Sequence, residues 1–207
     1  MGRAVVAVFL FLVGGFAVVD SFVRSNAAFK RCTSKLHLAN KPLVSGSVVA
    51  LVTPMEEDGK IDYKKLIDLL EWHKKEGTDG AIILGTTGEA STISLIEREE
   101  IIKTAVQTVN KAFPIIVGTG TIDAAKVIEL SQQALDCGAD ATLVITPYYV
   151  KPPQRALVQH YTRIADAVAI PMFVYNCPGR TGVDLKPATV AQFASHPNVS
   201  KDNCSEN

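Results

Sequence analysis

The chain has 207 residues, 47% of them hydrophobic, and its formal net charge at pH 7 is zero. This length fits one domain, or one domain behind a targeting segment, and the hydrophobic fraction is typical of a packed core rather than a disordered chain. The zero net charge argues against a nucleic-acid-binding surface as the main function. The four cysteines and four histidines are too widely spaced for a metal site or a disulfide framework.

The first 21 residues have the pattern of a secretory signal peptide. Arg3 is followed by an almost unbroken apolar run over 4–19, and small residues near Ser21 permit cleavage there. The run is short for a membrane span, so we expect no stable membrane insertion after processing. The alternative is a signal anchor that keeps the protein in a membrane.

Residues 22–45 have the composition of an organelle transit peptide or a linker. No acidic residue lies between Ser21 and Met55, whereas basic residues, serines and threonines are interspersed there. A signal peptide followed by a transit peptide resembles the bipartite leaders of algae with complex plastids, in which an aromatic residue, here Phe22, follows the signal cleavage site. We therefore expect a plastid location, and a secreted protein with a basic propeptide is the alternative.

From Gly46 onward, short apolar runs alternate with helical patterns. Asp62 and Asp123 are predicted helix N-caps, and Ser94 with Glu97 three residues later is a predicted capping box. The predicted strands are 48–52, 80–84, 114–118, 141–145 and 171–175, and the predicted helices follow at about 63–76, 94–111, 124–137, 154–168 and from Pro187.

Five alternations of strand and helix predict an α/β fold with a parallel sheet. The strands are continuous apolar runs, as expected when both faces of a sheet are covered. Periodicity alone does not separate an open doubly wound sheet from a TIM (β/α)8 barrel, although the absence of a GxGxxG motif after the first strand disfavours dinucleotide binding. A complete barrel needs about 250 residues, so the roughly 160 residues after the leader would form only its first five β/α units.

Polar side chains with useful chemistry gather where the predicted strands end. The carboxyl ends of parallel strands share one face of the fold, so these side chains should surround a single mouth. They are Thr86 and Thr87 within the turn Gly85–Glu89 after the second strand, Tyr148 and Tyr149 after the fourth, and Tyr175 and Arg180 at the end of the fifth.

These residue types suit a small dicarboxylic or keto-acid substrate. An arginine such as Arg180 recognises a carboxylate with two parallel hydrogen bonds, and threonine hydroxyls with backbone N–H groups can hold a second carboxylate. A tyrosine hydroxyl can relay a proton when it is hydrogen-bonded to another hydroxyl. Taken singly, Arg180 fits a surface salt bridge and each tyrosine fits a packing residue, and only their shared location favours a site.

Four segments in the same order resemble the dihydrodipicolinate synthase family, a branch of the pyruvate-dependent class I aldolases that includes N-acetylneuraminate lyase. The resemblance extends from about Gly46 to Asn198. The double threonine and the arginine of the last segment resemble the synthases more than the sugar-acid lyases. The segments are 46–54, 85–89, 146–149 and 175–182.

The resemblance implies a (β/α)8 barrel and a lyase reaction. Members condense pyruvate with L-aspartate 4-semialdehyde to 4-hydroxy-tetrahydrodipicolinate, in lysine biosynthesis via diaminopimelate, through a Schiff base between pyruvate and a lysine. By resemblance, Thr86 and Thr87 would bind the pyruvate carboxylate, and Arg180 would bind the carboxylate of the semialdehyde. Thr87, Tyr175 and Tyr149 would form a proton relay.

The resemblance also implies a homotetramer, in which Tyr149 reaches across a subunit interface, and it implies neither a metal nor an organic cofactor. Lysine-inhibited members carry Asn and Glu where this chain has Ile122 and Lys126. Since Lys126 would repel the ammonium group of lysine, we expect no feedback inhibition by lysine. Cys177 lies beside the site and is expected to be a packing residue.

Residues 200–207 depart from the family. Its Schiff-base lysine lies on the sixth strand in an apolar segment, whereas this tail is polar. Lys201 falls just before the corresponding position, and a solvated lysine is mostly protonated and therefore a poor nucleophile. We identify no Schiff-base lysine in this chain.

The polar tail leads us to expect a C-terminally truncated member of the family, with residues 46–199 as a partial barrel domain. Without the later strands, the first and fifth strands would expose unpaired edges and apolar faces, so we expect the chain to be unstable alone and inactive as written. The alternatives are a non-catalytic fragment that binds full-length subunits, and a related keto-acid or sugar-acid lyase of the same superfamily.

Overall fold

The structure, a computed structural model, describes residues 43–200 and the backbone of residues 204–205. The predicted signal peptide, residues 22–42 of the predicted transit segment, and Lys201 lie outside the described residues. Within the part of the chain that is described, no helix is both long and apolar enough to cross a bilayer.

Strands and helices alternate as the sequence predicts, with ends that differ by only a few residues. Two short elements, α5 and β6, were not predicted. The elements are β1 (Val48–Ala50), α1 (Tyr63–Lys75), β2 (Gly80–Ile83), α2 (Leu95–Val109), β3 (Ile115–Gly118), α3 (Ala124–Asp136), β4 (Ala141–Ile145), α4 (Gln154–Ala167), β5 (Met172–Asn176), α5 (Pro178–Thr181), α6 (Pro187–Val190) and β6 (Cys204–Ser205).

The predicted N-caps form and place the helices. The Asp62 and Asp123 side chains accept hydrogen bonds from backbone N–H groups in the first turns of α1 and α3. At α2 the Ser94 hydroxyl accepts from the Glu97 N–H, while the Glu97 carboxylate accepts from the Ser94 N–H at 2.9 Å. Each cap satisfies donors that the first turn of a helix leaves without intrahelical partners.

The order of the strands decides between the two α/β architectures that the sequence left open. All strands are parallel and the sheet order is β1-β2-β3-β4-β5-β6, the order in which they occur in the chain. A doubly wound sheet reverses its order at a switch point, whereas a β/α barrel adds each strand beside the previous one. The fold prediction is therefore confirmed as the first part of a (β/α)8 barrel.

The two faces of the sheet are buried in different ways. On the outer face, side chains of α1 and α2 such as Leu70 and Ile102 pack against β2 and β3 residues such as Ile83. The inner face forms a separate cluster in which Val48, Ile82, Ile116, Leu143 and Phe173 from five strands pack on one another. The sheet therefore curls around its inner side chains.

This curvature corrects part of the expectation about exposed surfaces. The inner-face residues are at least nine-tenths buried, because the curled strands bring them into mutual contact. β5 is not an unpaired edge either, since β6 pairs beside it with Tyr175 opposite Cys204. Among the described strands, β1 and β6 each have a neighbour on one side only, so the expectation of an unpaired edge holds at β1, and the second edge is β6 instead of β5.

The imidazole of His160 on α4 should make stability depend on pH. Burial, followed by the positive charge of Arg163, lowers the pKa of His160 to about 4, and its Nε2 has no hydrogen-bond partner among the described residues. Below about pH 6.5 this histidine is protonated in the unfolded chain, whereas in the folded chain it stays neutral until the pH falls to about 4. We expect this group to cost at most about 3 kcal/mol of unfolding free energy as pH falls from 6.5 to 4, and less where solvent screens the partly buried imidazole.

Urea denaturation of the wild type and of His160→Gln between pH 4 and 7 measures this contribution. The carboxylates titrate in both proteins, so only the difference between the two slopes reports on His160. We expect a flatter profile for His160→Gln, and parallel profiles would contradict the assignment.

Candidate active site

The turn after β2 places Thr86 and Thr87 at the carboxyl end of the sheet. Leu84 and Glu89 have left-handed backbone conformations, and the Gly88 N–H donates to the Gly85 carbonyl at 3.1 Å to close the turn. Both threonine side chains are exposed to solvent. The turn is tight because a side chain at Gly88 would lie 3.1 Å from the Leu51 carbonyl oxygen and the Leu84 nitrogen.

A buried hydroxyl fixes this turn from the neighbouring strand. Thr53, which follows β1, donates its Oγ1 hydrogen to the Gly88 carbonyl oxygen at 2.7 Å. Replacing Thr53 with valine keeps the side-chain shape and leaves that carbonyl unsatisfied. We expect the unfolding free energy to fall by about 1–2 kcal/mol.

Thr92→Val is the matched control for Thr53→Val. Thr92 also donates to a backbone carbonyl, that of Glu89 at 2.9 Å, but it does so at the surface. We expect a change within about 0.5 kcal/mol, measured by the same urea denaturation. Equal losses for the two variants would show that burial of the Thr53 hydrogen bond has no special role.

The segment after β4 presents two tyrosines, one of which has an unusual backbone conformation. Tyr149 has φ of 67°, in the left-handed region that is strained for a non-glycine residue, and its side chain is 87% exposed. The Tyr148 hydroxyl lies 3.5 Å from the Thr121 hydroxyl of the β3–α3 loop. The conformation at Tyr149 holds its ring away from the core and out toward solvent.

The segment after β5 carries Arg180 on the single turn of α5. The Thr181 hydroxyl donates to the Cys177 carbonyl at 3.0 Å and the Asn176 amide donates to Asp184 at 2.9 Å, so the segment is tied down at both ends. Cys177 is buried beside the site, in agreement with a packing role. Arg180 projects from this fixed turn with an exposed side chain.

Four of the five predicted site residues line a single cavity of about 930 Å³ at the carboxyl ends of the strands. They are Thr86, Tyr149, Tyr175 and Arg180. The fifth, Thr87, belongs to the same turn as Thr86 but does not line the cavity. The structure therefore brings four of these residues together at one cavity, and the role of each residue and of the cavity remains a prediction.

A buried hydrogen-bond chain that the sequence analysis missed supports the backbone of Tyr175. The hydroxyl of Tyr161, which is 0% exposed, donates to Thr146 Oγ1 at 3.2 Å. Thr146 Oγ1 in turn donates to the Tyr175 carbonyl at 3.2 Å, and its backbone N–H donates to the same carbonyl at 2.9 Å. Burial raises the pKa of Tyr161, so its hydroxyl stays protonated and keeps donating.

Arg98 is a second residue that the sequence analysis missed. It lines the cavity from α2, is only 4% exposed, and donates from Nη2 to the Gly118 carbonyl at 2.8 Å. Burial lowers the pKa of Arg98 to about 10. Its position could have been found, because Arg98 shares a helical stripe with Ile101, Ile102 and Ala105, all of them buried.

The cavity wall also contains Lys126, one of the two positions at which the resemblance bears on inhibition by lysine. Lys126 lines the cavity, and its Nζ lies 2.9 Å from the Glu129 carboxylate. Ile122 is 45% exposed nearby in sequence. The expectation that lysine does not inhibit remains a prediction.

The singly wound parallel sheet, with its polar side chains collected around one cavity at the carboxyl ends of the strands, is the arrangement found in β/α-barrel enzymes. Within that class the particular assignment comes from sequence relatives. The chain belongs to the dihydrodipicolinate synthetase family, whose family model matches residues 43–202.

Curated relatives in this family are named 4-hydroxy-tetrahydrodipicolinate synthase, a lyase. The chain is 52% identical over 157 residues to the one from Geobacter metallireducens and 53% identical over 157 residues to those from Coxiella burnetii. Each of these alignments covers 76% of this chain and 54% of the relative. The chain therefore spans about half the length of the curated relatives it matches.

Solved structures agree with the sequence relatives. The chloride-inhibited dihydrodipicolinate synthase of Acinetobacter baumannii, complexed with pyruvate, is 51% identical with a TM-score of 0.74, over 75% of this chain and 53% of that one. The synthase of Cyanidioschyzon merolae with lysine bound is 33% identical with a TM-score of 0.73, over 76% of this chain and 54% of that one. The family resemblance and the barrel prediction are both confirmed.

Proposed function

We propose that the protein takes part in the condensation of pyruvate with L-aspartate 4-semialdehyde to 4-hydroxy-tetrahydrodipicolinate, in lysine biosynthesis via diaminopimelate. The observation that carries the proposal is the convergence of Thr86, Tyr149, Tyr175 and Arg180 on one cavity, from three strand ends separated in sequence. The bound pyruvate named for the Acinetobacter baumannii relative supports the choice of substrate.

Two regions of the cavity suit the two carboxylates of the reaction. The turn after β2 offers the hydroxyl of Thr86 at the cavity, the hydroxyl of Thr87 in the same turn outside the cavity lining, and backbone N–H groups, and such a concave set of donors binds a small anion. On the β5 side, Arg180 offers a planar guanidinium for two parallel hydrogen bonds to a carboxylate. In the proposal the turn binds pyruvate and Arg180 binds the semialdehyde.

Thr87, Tyr175 and Tyr149 would carry protons between the substrates and solvent. A hydroxyl relay works when each group can donate and accept at once, and a threonine between two tyrosines meets that requirement. Tyr175 is half-buried and held at its carbonyl by Thr146, whereas Tyr149 is almost fully exposed. The exposure of the Tyr149 ring supports a homo-oligomer, because a second copy of the chain that covers Tyr149 would remove this ring from water.

We propose that residues 43–200 supply every component of the reaction except the amine that forms the Schiff base. Within this range Lys126 is the only lysine that lines the cavity, and it projects from α3 rather than from a strand end. Lys201 lies outside the described residues. We therefore propose that the described region binds both carboxylates and that the chain as given is inactive on its own.

Titration calorimetry with pyruvate tests the binding part of the proposal. We expect Thr86→Val to weaken pyruvate binding about tenfold, because a hydrogen bond to a charged group is lost. Thr162→Val is the matched control, since Thr162 lies on α4 outside the cavity and should leave the affinity unchanged. If Thr86→Val bound pyruvate as tightly as the wild type, the proposal that pyruvate binds at the turn after β2 would be wrong.

Reduction with borohydride in the presence of pyruvate tests the chemistry. The proposal predicts pyruvate binding without a covalent adduct, as read by mass spectrometry of the intact chain. An adduct on any lysine, Lys201 included, would overturn the proposed inactivity. Measurable turnover of N-acetylneuraminate, but not of aspartate semialdehyde with pyruvate, would instead support the related sugar-acid lyase.

We also propose that residues 1–45 direct the protein to a plastid by way of the secretory pathway. The apolar segment followed by an acid-free basic segment supports this route. A fluorescent protein fused after residue 45 should accumulate in the plastid, and the mature chain should begin beyond Ser21. Secretion of the fusion, or its retention in a membrane with residue 1 intact, would reject the proposal.

A further inference from the structure

The loop that carries Arg180 is closed at its base by one side-chain amide. Asn176, the last residue of β5, donates from Nδ2 to the Asp184 carboxylate at 2.9 Å and accepts with Oδ1 from the Leu185 N–H at 3.0 Å. A carboxamide can do both because it carries donors and an acceptor in one planar group. The two bonds join the end of β5 to residues that lie eight and nine positions further along the chain.

A second amide, that of Gln154 at the start of α4, holds the same stretch of the loop. Its Nε2 donates to the Asp184 carbonyl at 2.7 Å, and its Oε1 accepts from the Lys186 N–H at 3.1 Å. Between these two contacts Leu185 is 5% exposed and packs with residues of α4 and β5. The stretch 184–186 is therefore fixed by two carboxamides and one buried side chain.

The guanidinium of Arg180 has no acidic partner among the described residues. No described aspartate or glutamate lies within ion-pair distance of it. Asp184 is the closest acidic residue along the chain, four positions after Arg180, and its carboxylate is bonded to Asn176 instead. An arginine that pairs with an acid of its own loop must give up that pair before it binds the carboxylate of a ligand.

The position of Arg180 depends on this loop, because its exposed side chain extends from an anchored backbone. The Arg180 N–H donates to the Cys177 carbonyl at 3.0 Å, and the neighbouring Thr181 is 1% exposed. A loop that is already ordered loses less conformational entropy when a ligand binds, so a preformed loop binds more tightly. Loosening residues 184–186 should therefore weaken binding at Arg180.

We propose that Asn176 and Gln154 are positioning residues that determine how tightly Arg180 binds the carboxylate of the semialdehyde. This role rests on the proposed function, and neither residue lines the cavity. Asn176 has two effects, because it holds the loop and also keeps the Asp184 carboxylate from competing for Arg180. Gln154 has the first effect only.

A reciprocal exchange of Asn176 and Asp184 tests the first contact. Asn176→Asp places two carboxylates opposite each other, whereas Asn176→Asp combined with Asp184→Asn keeps both hydrogen bonds with the donor and acceptor groups exchanged. NMR titration measures the affinity for L-aspartate 4-semialdehyde alone, so that no condensation takes place. We expect Asn176→Asp to bind about fivefold more weakly than the wild type, and the exchanged variant to bind within about twofold of it. An exchange that fails to restore the affinity would overturn the proposal.

Variants without an added charge separate the loop geometry from simple charge repulsion. Asn176→Ala and Gln154→Ala remove the contacts and add no carboxylate, and we expect each to weaken semialdehyde binding about threefold to fivefold. Wild-type affinity in either variant would overturn the proposal. The matched control is Gln132→Glu on α3, because Gln132 also donates to an aspartate, Asp136 at 2.8 Å, but lies outside the cavity lining. Its affinity should not change, and a loss as large as that of Asn176→Asp would also overturn the proposal.

Pyruvate separates the positioning of Arg180 from general damage to the fold. In the proposed function the turn after β2 sets the pyruvate affinity, so this affinity should stay at the wild-type value in the Asn176 and Gln154 variants. A parallel loss of pyruvate binding would mean that these amides only support the fold. Should Asn176→Asp fail to fold, the two alanine variants decide by the same comparison.

Arg180→Met distinguishes failure of the positioning from failure of the proposed function. It should weaken semialdehyde binding at least as much as Asn176→Asp does. If it binds as tightly as the wild type, the proposed role of Arg180 and its positioning by Asn176 and Gln154 are both wrong. If it binds weakly while the Asn176 and Gln154 variants bind like the wild type, only the positioning is wrong and the proposed function stands.

Discussion

Replacing Gly118 with alanine is expected to lower the unfolding free energy by about 3 kcal/mol or more, the largest loss among the single changes considered. A Cβ at this position would overlap the Leu84 carbonyl oxygen and lie 2.7 Å from the Leu84 carbonyl carbon and 3.0 Å from the Gly85 Cα. These are backbone atoms of the neighbouring strand end, so relief would require β2 and β3 to separate. Overpacking of a closed core typically costs 1–3 kcal/mol, and a clash with backbone lies at or above that range.

Gly179→Ala is the matched control for Gly118→Ala. No atom lies within 4 Å of the position that a Cβ would occupy at Gly179, and the residue is exposed. We expect its urea midpoint to stay within the equivalent of about 0.5 kcal/mol of the wild type. If Gly118→Ala had the same urea midpoint as the wild type, the ends of β2 and β3 could separate without any loss of unfolding free energy.

The second large effect is expected from Ile102→Ala on α2. Ile102 is 0% exposed and packs in the cluster between the helices and the outer face of the sheet. Truncation removes buried apolar surface and leaves a cavity, which typically costs about 2–5 kcal/mol. Urea denaturation with an unchanged m-value would assign the loss to the folded state.

Ile96→Ala provides the comparison for Ile102→Ala within the same helix. Ile96 is 74% exposed in the first turn of α2, so the same chemical change removes little buried surface. We expect a change within about 0.5 kcal/mol, and alanine has the higher helix propensity. A loss at Ile96 as large as that at Ile102 would indicate that Ile96 is covered in solution, for example by a second copy.

The elements were predictable because each carries its own local signals. The capping box of Ser94 and Glu97, the N-cap of Asp62 and the apolar runs of the strands act over a few residues and do not depend on distant contacts. The choice between a doubly wound sheet and a barrel was not local. It depends on which strand lies beside which, and both architectures give the same buried apolar strands.

The sequence predicted which side chains lie close together, because the ends of parallel strands share one face of the fold, but it did not predict what supports them. Thr86, Tyr175 and Arg180 meet because the architecture requires it. The support of Tyr175 by Tyr161 and Thr146 depends on how α4 packs on the sheet, which periodicity does not specify. β6 was missed because its residues are polar, and its pairing with β5 uses backbone groups that every residue carries.

The sequential order of the strands has a consequence for how the chain can fold when it emerges N-terminus first, whether from the ribosome or from a channel that carries it across a membrane. Each strand pairs with the one that precedes it in the chain, and paired residues such as Val117 and Thr142 are roughly 25–35 positions apart. No pairing has to wait for a distant part of the chain, and a helix forms in about a microsecond. Each unit can therefore dock on its predecessor once it has emerged. The Thr86 turn would be in place before Tyr149 emerges, and both before Arg180, so the cavity is built in one direction.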